Sequence, residues 1–138
     1  MVAAAAKANG VEGKCTAVKA EVMDELERRA AAAERFDVCI VDPPAFIKSK
    51  KDMAAGLKGY RKLARLAAAT VEKSGFLVIC SCSHHAALDD FHAAVAGGVY
   101  DAGRTGRLVR TSFAGPDHPV HPLLPESAYL KCLVLQLD

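Results

Sequence analysis

Two places in this chain carry residues whose types and spacing suit chemistry. The first is Asp42-Pro43-Pro44, directly after the apolar run Phe36 to Val41. Two prolines stiffen the turn and leave it short of backbone donors, so the Asp42 carboxylate and nearby carbonyls can receive the amino and ring nitrogens of a base. The plain alternative is a turn that only ends a strand, since proline cannot donate to a sheet ladder. The second is Cys82, in Ser81-Cys82-Ser83-His84-His85, where the apolar run Phe76 to Cys80 gives out. An exposed, polar thiol at a strand tip, beside a helix beginning near Ala86 and two imidazoles, suits nucleophilic attack. It reads also as a passive thiol or, with Cys80, His84 and His85, as a metal ligand. One strand tip rarely aims four such side chains at a tetrahedral point, so metal ranks last and none is expected.

Basic residues follow the first place: Lys48, Lys50 and Lys51, then Lys58, Arg61, Lys62 and Arg65 on one stripe of a helical pattern. Such a stripe holds phosphates through sequence-independent contacts, as an RNA substrate requires, or it is a solvated helix face.

The elements that must position these residues follow from periodicity. Val2 to Asn9 predicts a helix stopped by Asn9-Gly10, and Cys15 to Val22 alternates like a strand. Met23 to Arg35 has helical spacing, and Phe36 to Val41 reads as a strand covered on both faces. Apolar residues at three- and four-residue steps predict a helix from Asp52 to Val71, with Ser49 and Asp52 resembling a capping box and Ser74-Gly75 closing it. Phe76 to Cys80 is a further strand; Leu88, Phe91, Val95 and Val99 mark a helix that Gly97-Gly98 weakens. Arg107 to Phe113 and Tyr129 to Leu137 predict an antiparallel pair joined by a proline-rich loop. This order predicts an α/β fold: a mostly parallel sheet with helices on both faces and a C-terminal antiparallel hairpin. In such sheets ligands bind beyond the C-terminal strand ends, which puts Asp42 and Cys82 on one rim.

Composition narrows the class. The chain has 138 residues, 51% hydrophobic and 25% charged, too apolar for disorder, and nothing divides it, so residues 1–138 read as one domain or part of one. Its net charge of +2 does not by itself mark a nucleic-acid binder. No run reaches the roughly 20 apolar residues of a membrane span and no signal peptide is evident, so a soluble, cytoplasmic location is expected. Five cysteines lack the spacing of a zinc ribbon or disulfide scaffold; Cys15, Cys39 and Cys132 read as small buried hydrophobes.

Phe36-Asp37-Val38, Asp42-Pro43-Pro44-Ala45-Phe46, Lys58-Gly59-Tyr60, Ser81-Cys82-Ser83, Asp117-His118-Pro119-Val120 and Tyr129-Leu130-Lys131, in this order, resemble the bacterial large-subunit (23S) ribosomal RNA cytosine-C5 methyltransferases over nearly the whole chain. The resemblance implies a Rossmann-like class I methyltransferase sheet, S-adenosyl-L-methionine as cofactor, ribosomal RNA as partner and a role in rRNA processing. It makes Cys82 the nucleophile toward cytosine C6 and Asp42 the receptor of the base edge near N3. Glu21, Val22 and Asp42 fall on the cofactor side, with Glu21 where the family usually has Asp; Pro43, Pro44, Phe46, Lys58 and Arg61 fall on the substrate side. The glycine-rich cofactor loop and first two strands of the family pattern have no counterpart here, and Gly10-Val11-Glu12-Gly13 is no substitute. The chain is therefore expected to hold the C-terminal part of a methyltransferase domain, with an incomplete sheet open to self-association. Two alternatives stay open: a catalytically inert fragment, and a guanine N-methyltransferase, whose pattern lacks the Ser-Cys-Ser.

Overall fold

Apolar runs rich in β-branched residues form the sheet in the computed structural model, which describes all 138 residues, Met1–Asp138. The strands are β1 (Phe36–Val41), β2 (Val71–Ser81), β3 (Gly106–Ser112) and β4 (Lys131–Leu137). Their order is β1-β2-β4-β3: β1 runs parallel to β2, and β4 inserts antiparallel to both β2 and β3. The helices are α1 (Val2–Ala8), α2 (Val22–Ala31), α3 (Met53–Ala68) and α4 (Leu88–Asp101).

The α/β fold and its closing antiparallel pair match the sequence pattern, but the sheet is mixed, with one parallel and two antiparallel ladders. The expected strand at Cys15 to Val22 does not form; that segment has no ladder partner, and Cys15 is exposed rather than buried. Alternation supplies the two faces of a strand, whereas a strand also needs a neighbour to take its backbone hydrogen bonds. β1 is accordingly an edge strand. A second boundary moves for a similar reason. α3 stops at Ala68 and Val71 opens β2, which runs through Ser74-Gly75 instead of starting after it. Ser74 takes a positive φ of 64°, and a Cβ on Gly75 would stand 2.7 Å from the Asp37 carbonyl oxygen, so the register of the β1–β2 ladder shifts here, between Phe36 and Val38.

One core holds the fold together. Leu77 and Ile79 of β2 and Leu133, Leu135 and Leu137 of β4 point to the same face and meet Tyr60, Leu63, Ala64 and Ala67 of α3 and Phe91, Val95 and Val99 of α4. Met23 and Leu26 of α2 pack against the same cluster. The opposite face, expected to be covered by helices, leaves Val38 52% and Ile40 67% exposed, with Phe76, Val78, Cys80, Cys132 and Val134 half-buried beside them. No helix is long and apolar enough to cross a membrane.

α3 and α4 approach closely because of Gly98. A Cβ there would lie 2.7 Å from the Ala64 Cβ and 2.9 Å from the Arg65 nitrogen. The glycine pair, which propensity marks as a weakness, is thus the contact that seats α4 on α3. Arg61 of α3 locks the crossing by donating from Nε and Nη2 to the two carboxylate oxygens of Asp101, at 2.6 and 2.8 Å. Arg104 closes the end of the sheet, donating to the carbonyls of Ala68, Val71 and Asp138 at 3.2, 2.7 and 2.6 Å. The Ala68 carbonyl is one that the last turn of α3 leaves without a helical partner. Gly98→Val should destabilise the fold by about 1–3 kcal/mol through overpacking, seen as a lower urea midpoint, while Gly103→Ala should leave the α3–α4 contact intact.

Candidate active site at the strand ends

The parallel pairing of β1 and β2, with Val41 opposite Ile79, sends both chains out on the same rim. Asp42 and Cys82 are the first residues beyond their strands. The Cys82 thiol donates to the Pro43 carbonyl at 3.8 Å, so the two places singled out in the sequence are in contact. Cys82 is half-buried rather than exposed, because the turn leans over it.

A network of buried hydroxyls sets this contact. Alternation along the strand turns Ser81 and Ser83 inward on either side of Cys82, and both are fully buried. The Tyr60 hydroxyl, also buried, lies 2.8 Å from both the Ser81 and the Ser83 Oγ. Ser83 Oγ accepts from the Ile47 backbone N–H at 3.1 Å, and Ser81 Oγ accepts from the Ser83 N–H at 3.2 Å. One helix side chain therefore fixes the Ser-Cys-Ser turn, and Ser83 carries that restraint into the chain following Asp42-Pro43-Pro44. Phe46 stacks over this point, its ring 4.8 Å from Tyr60, and Tyr60 meets Phe91 edge-on at 5.0 Å.

Beside the turn lies a cleft of about 350 Å³ lined by Glu21, Val22, Met23, Ile40, Val41, Asp42, Pro43, Pro44, Phe46 and Leu63. Every residue assigned above to the cofactor side, Glu21, Val22 and Asp42, lines it, as do Pro43, Pro44 and Phe46 from the substrate side. Glu21 is the N-cap of α2: its Oε2 accepts from the Asp24 N–H at 3.1 Å, which leaves the other carboxylate oxygen for a ligand. Lys58 and Arg61 lie outside the cleft. Lys58 is exposed, and Arg61 is paired to Asp101; Lys62 reaches Glu27 at 3.7 Å. The basic stripe is thus partly neutralised within the fold, while Lys48 lies with Phe46 and Gly59 in a neighbouring groove.

Tyr60, Ser81, Ser83 and Lys131 are site residues that spacing alone did not single out. Serines flanking a strand cysteine must face the core and find partners there, and that much was readable; their partner on α3 was not. Behind the rim, Cys80 faces Cys132 across the β2–β4 ladder. Burial, the hydrogen bond with Cys132 and the negative charge of its ionised form, and the Asp42 carboxylate together push the Cys80 thiol up to about 12. No three His, Cys, Asp or Glu side chains are grouped as metal ligands.

Two outcomes follow from this geometry. Tyr60→Phe should cost about 1–2 kcal/mol, measured by urea unfolding, because two buried serine hydroxyls lose their shared partner. Cys80 keeps its proton in the folded state up to about 12, above the ordinary cysteine value of 9.0 from which it is displaced. Between these values the unfolded chain binds fewer protons than the folded one, so Cys80 should make stability fall as pH rises above about 9. Cys80→Ser should flatten that fall in a series of melting temperatures against pH.

The chain is similar to known proteins in sequence and in fold. No family model matches the chain. It is 33% identical over 124 residues, 90% of its length, to ribosomal RNA large subunit methyltransferase I of Pseudoalteromonas atlantica. It is 35% identical over 128 residues, 93% of its length, to a protein of Methanocaldococcus jannaschii assigned as a ribosomal RNA large subunit methyltransferase. The chain spans about a third of the length of these relatives, 31% and 30%. A crystal structure assigned as a methyltransferase complexed with SAH superposes with a TM-score of 0.74 at 21% identity, covering 96% of this chain and 34% of that one. The fold is that of S-adenosylmethionine-dependent methyltransferases.

Proposed function

We propose that this chain carries the substrate side of a ribosomal RNA methyltransferase site that forms 5-methylcytosine in large-subunit RNA, with Cys82 as nucleophile. The observation that carries the reading is the Cys82 thiol held against the Pro43 carbonyl, beside a cleft that Glu21 and Asp42 line. The names of the relatives support the same substrate class.

Cytosine C5 is a poor nucleophile, so covalent catalysis is required. The Cys82 thiolate adds to C6, and the electron density displaced from the C5–C6 bond makes C5 able to take a methyl group. Asp42 receives the base edge at N3 and the exocyclic amine, stabilising the charge that develops there, and the stiff Pro43-Pro44 turn holds its carboxylate in place. Phe46 offers an aromatic face to the base. Loss of the C5 proton and expulsion of the Cys82 thiolate restore the ring.

The cleft fits the cofactor that this chemistry needs. Val22, Met23, Pro44 and Leu63 give it apolar walls for a flat ring, and Glu21 retains a carboxylate oxygen for a hydroxyl or amine. Glu21, Val22 and Asp42 would hold S-adenosylmethionine, which supplies the electrophilic methyl when bound. Exposed Lys48, Lys50, Lys51, Lys58 and Arg65 are the cations left to meet RNA phosphates.

Incubation with S-adenosylmethionine and RNA containing 5-fluorocytidine tests the reading, since fluorine at C5 removes the proton whose loss frees the enzyme. A covalent adduct is expected by denaturing gel and mass spectrometry, and Cys82→Ala should abolish it. An adduct that survives in Cys82→Ala overturns the role of Cys82. Methylated guanosine without 5-methylcytidine in digests of ordinary RNA overturns the base assignment. Calorimetry that detects no binding of S-adenosylmethionine to the chain supports the inert-fragment alternative.

A further inference from the structure

Lys131 is the only charged residue among the buried ones, at 7% exposure. It opens β4 opposite Ser81, and its Nζ donates to the carbonyls of Ser83 and Tyr129, each at 3.0 Å. No carboxylate lies within ion-pair distance, so two neutral carbonyls accept hydrogen bonds from the ammonium and no carboxylate balances its charge. An ammonium buried without a counter-charge is disfavoured even after the surroundings relax. Burial accordingly pushes the Lys131 ammonium down, while a negative charge on Cys82 pulls it back up. The Ser83 carbonyl that Nζ grips belongs to the residue directly after Cys82, which puts the ammonium one residue from the thiol that can become an anion on this rim.

We propose that Lys131 is a positioning residue for Cys82: it holds the Ser83 carbonyl, immediately after the nucleophile, and its ammonium stabilises the Cys82 thiolate once the thiol proton has left. The inference rests on the reading of Cys82 as nucleophile. The other titratable groups on this rim are few. Asp42 approaches from the end of β1, the Cys80 and Cys132 thiols lie behind on β2 and β4, and His84 and His85 follow in the turn. The carboxylate of Asp42 opposes a second negative charge on this rim, and Lys131 offsets it from the buried side. The thiol proton passes to solvent, and the thiolate that remains is the species that adds to C6.

The test reads the thiol directly. The rate of Cys82 alkylation by iodoacetamide is followed by peptide mass mapping from about pH 6 to about pH 10 in the intact chain and its variants. Lys131→Gln keeps amide donors for the two carbonyls and removes the charge; Lys131→Met, apolar and of similar length, is a second neutral variant; Lys131→Arg keeps the charge. The neutral variants should shift the alkylation profile to higher pH by about one unit and slow the reaction about 5- to 10-fold near neutrality. Lys131→Arg should stay within about 2-fold of the parent, since an opposite charge near the thiolate is retained. A folded neutral variant with an unmoved profile overturns the proposal, even if its melting temperature falls, because a purely structural tie changes stability alone. If Cys82→Ala still forms the fluorocytidine adduct while the profile moves as expected, the functional reading fails and the charge coupling stands.

Discussion

The Tyr60 hydroxyl and the two serines it joins are the constraint around which the rim is arranged. Tyr60 sits on α3, Ser81 and Ser83 on either side of Cys82, and the Ile47 N–H closes the set from the chain that leaves β1. Buried hydroxyls without partners are costly, so each member holds the others in place. The consequence is geometric: the Cys82 thiol and the Pro43 carbonyl meet without any direct sequence link between them. Aromatic packing of Phe46 and Phe91 on either side of Tyr60 keeps water from competing for the network.

That network works only because α3 is held rigidly against the sheet. The close α3–α4 crossing at Gly98, the Arg61–Asp101 pair and the carbonyls gathered by Arg104 all fix the helix that carries Tyr60. Helices α2, α3 and α4 gather on one face of the sheet, and this is the face toward which Ser81, Ser83 and Lys131 point. The other face keeps exposed Val38 and Ile40, with the half-buried cysteine pair Cys80 and Cys132 beyond them. Binding chemistry and structural support thus divide across the strand ends: the cleft opens beside the turn, and the buried network stands behind it.

Charge follows the same division. On the surface, Arg61 and Lys62 are paired within the fold and contribute crossing geometry and helix contacts. In the interior a single cation, Lys131, is kept without a carboxylate, on the carbonyls of Ser83 and Tyr129. Exposed pairs of the first kind are worth little individually, whereas an unbalanced buried charge has a large effect on any anion near it.

The sequence by itself determined that the candidate residues Asp42 and Cys82 end two strands on one rim. Apolar runs without alternation marked β1 and the second half of β2, proline and serine clusters marked their ends, and the helical steps from Met53 located α3, because these are local properties of the chain. The motif order also gathered Glu21, Val22, Asp42, Pro43, Pro44 and Phe46, which line one cleft. Only the tertiary structure decided what depends on partners distant in the chain. Cys15 to Val22 alternates as a strand yet pairs with nothing; Gly97-Gly98 reads as a weak point yet permits a helix crossing; Arg61 reads as a phosphate contact yet binds Asp101. Tyr60 looked like one more apolar helix position until its hydroxyl was placed between two serines 21 and 23 residues away. Hydrogen-bond satisfaction, close packing and charge pairing are relations between residues that periodicity cannot see, and they turn a strand-ending Asp-Pro-Pro and a strand-tip cysteine into one site.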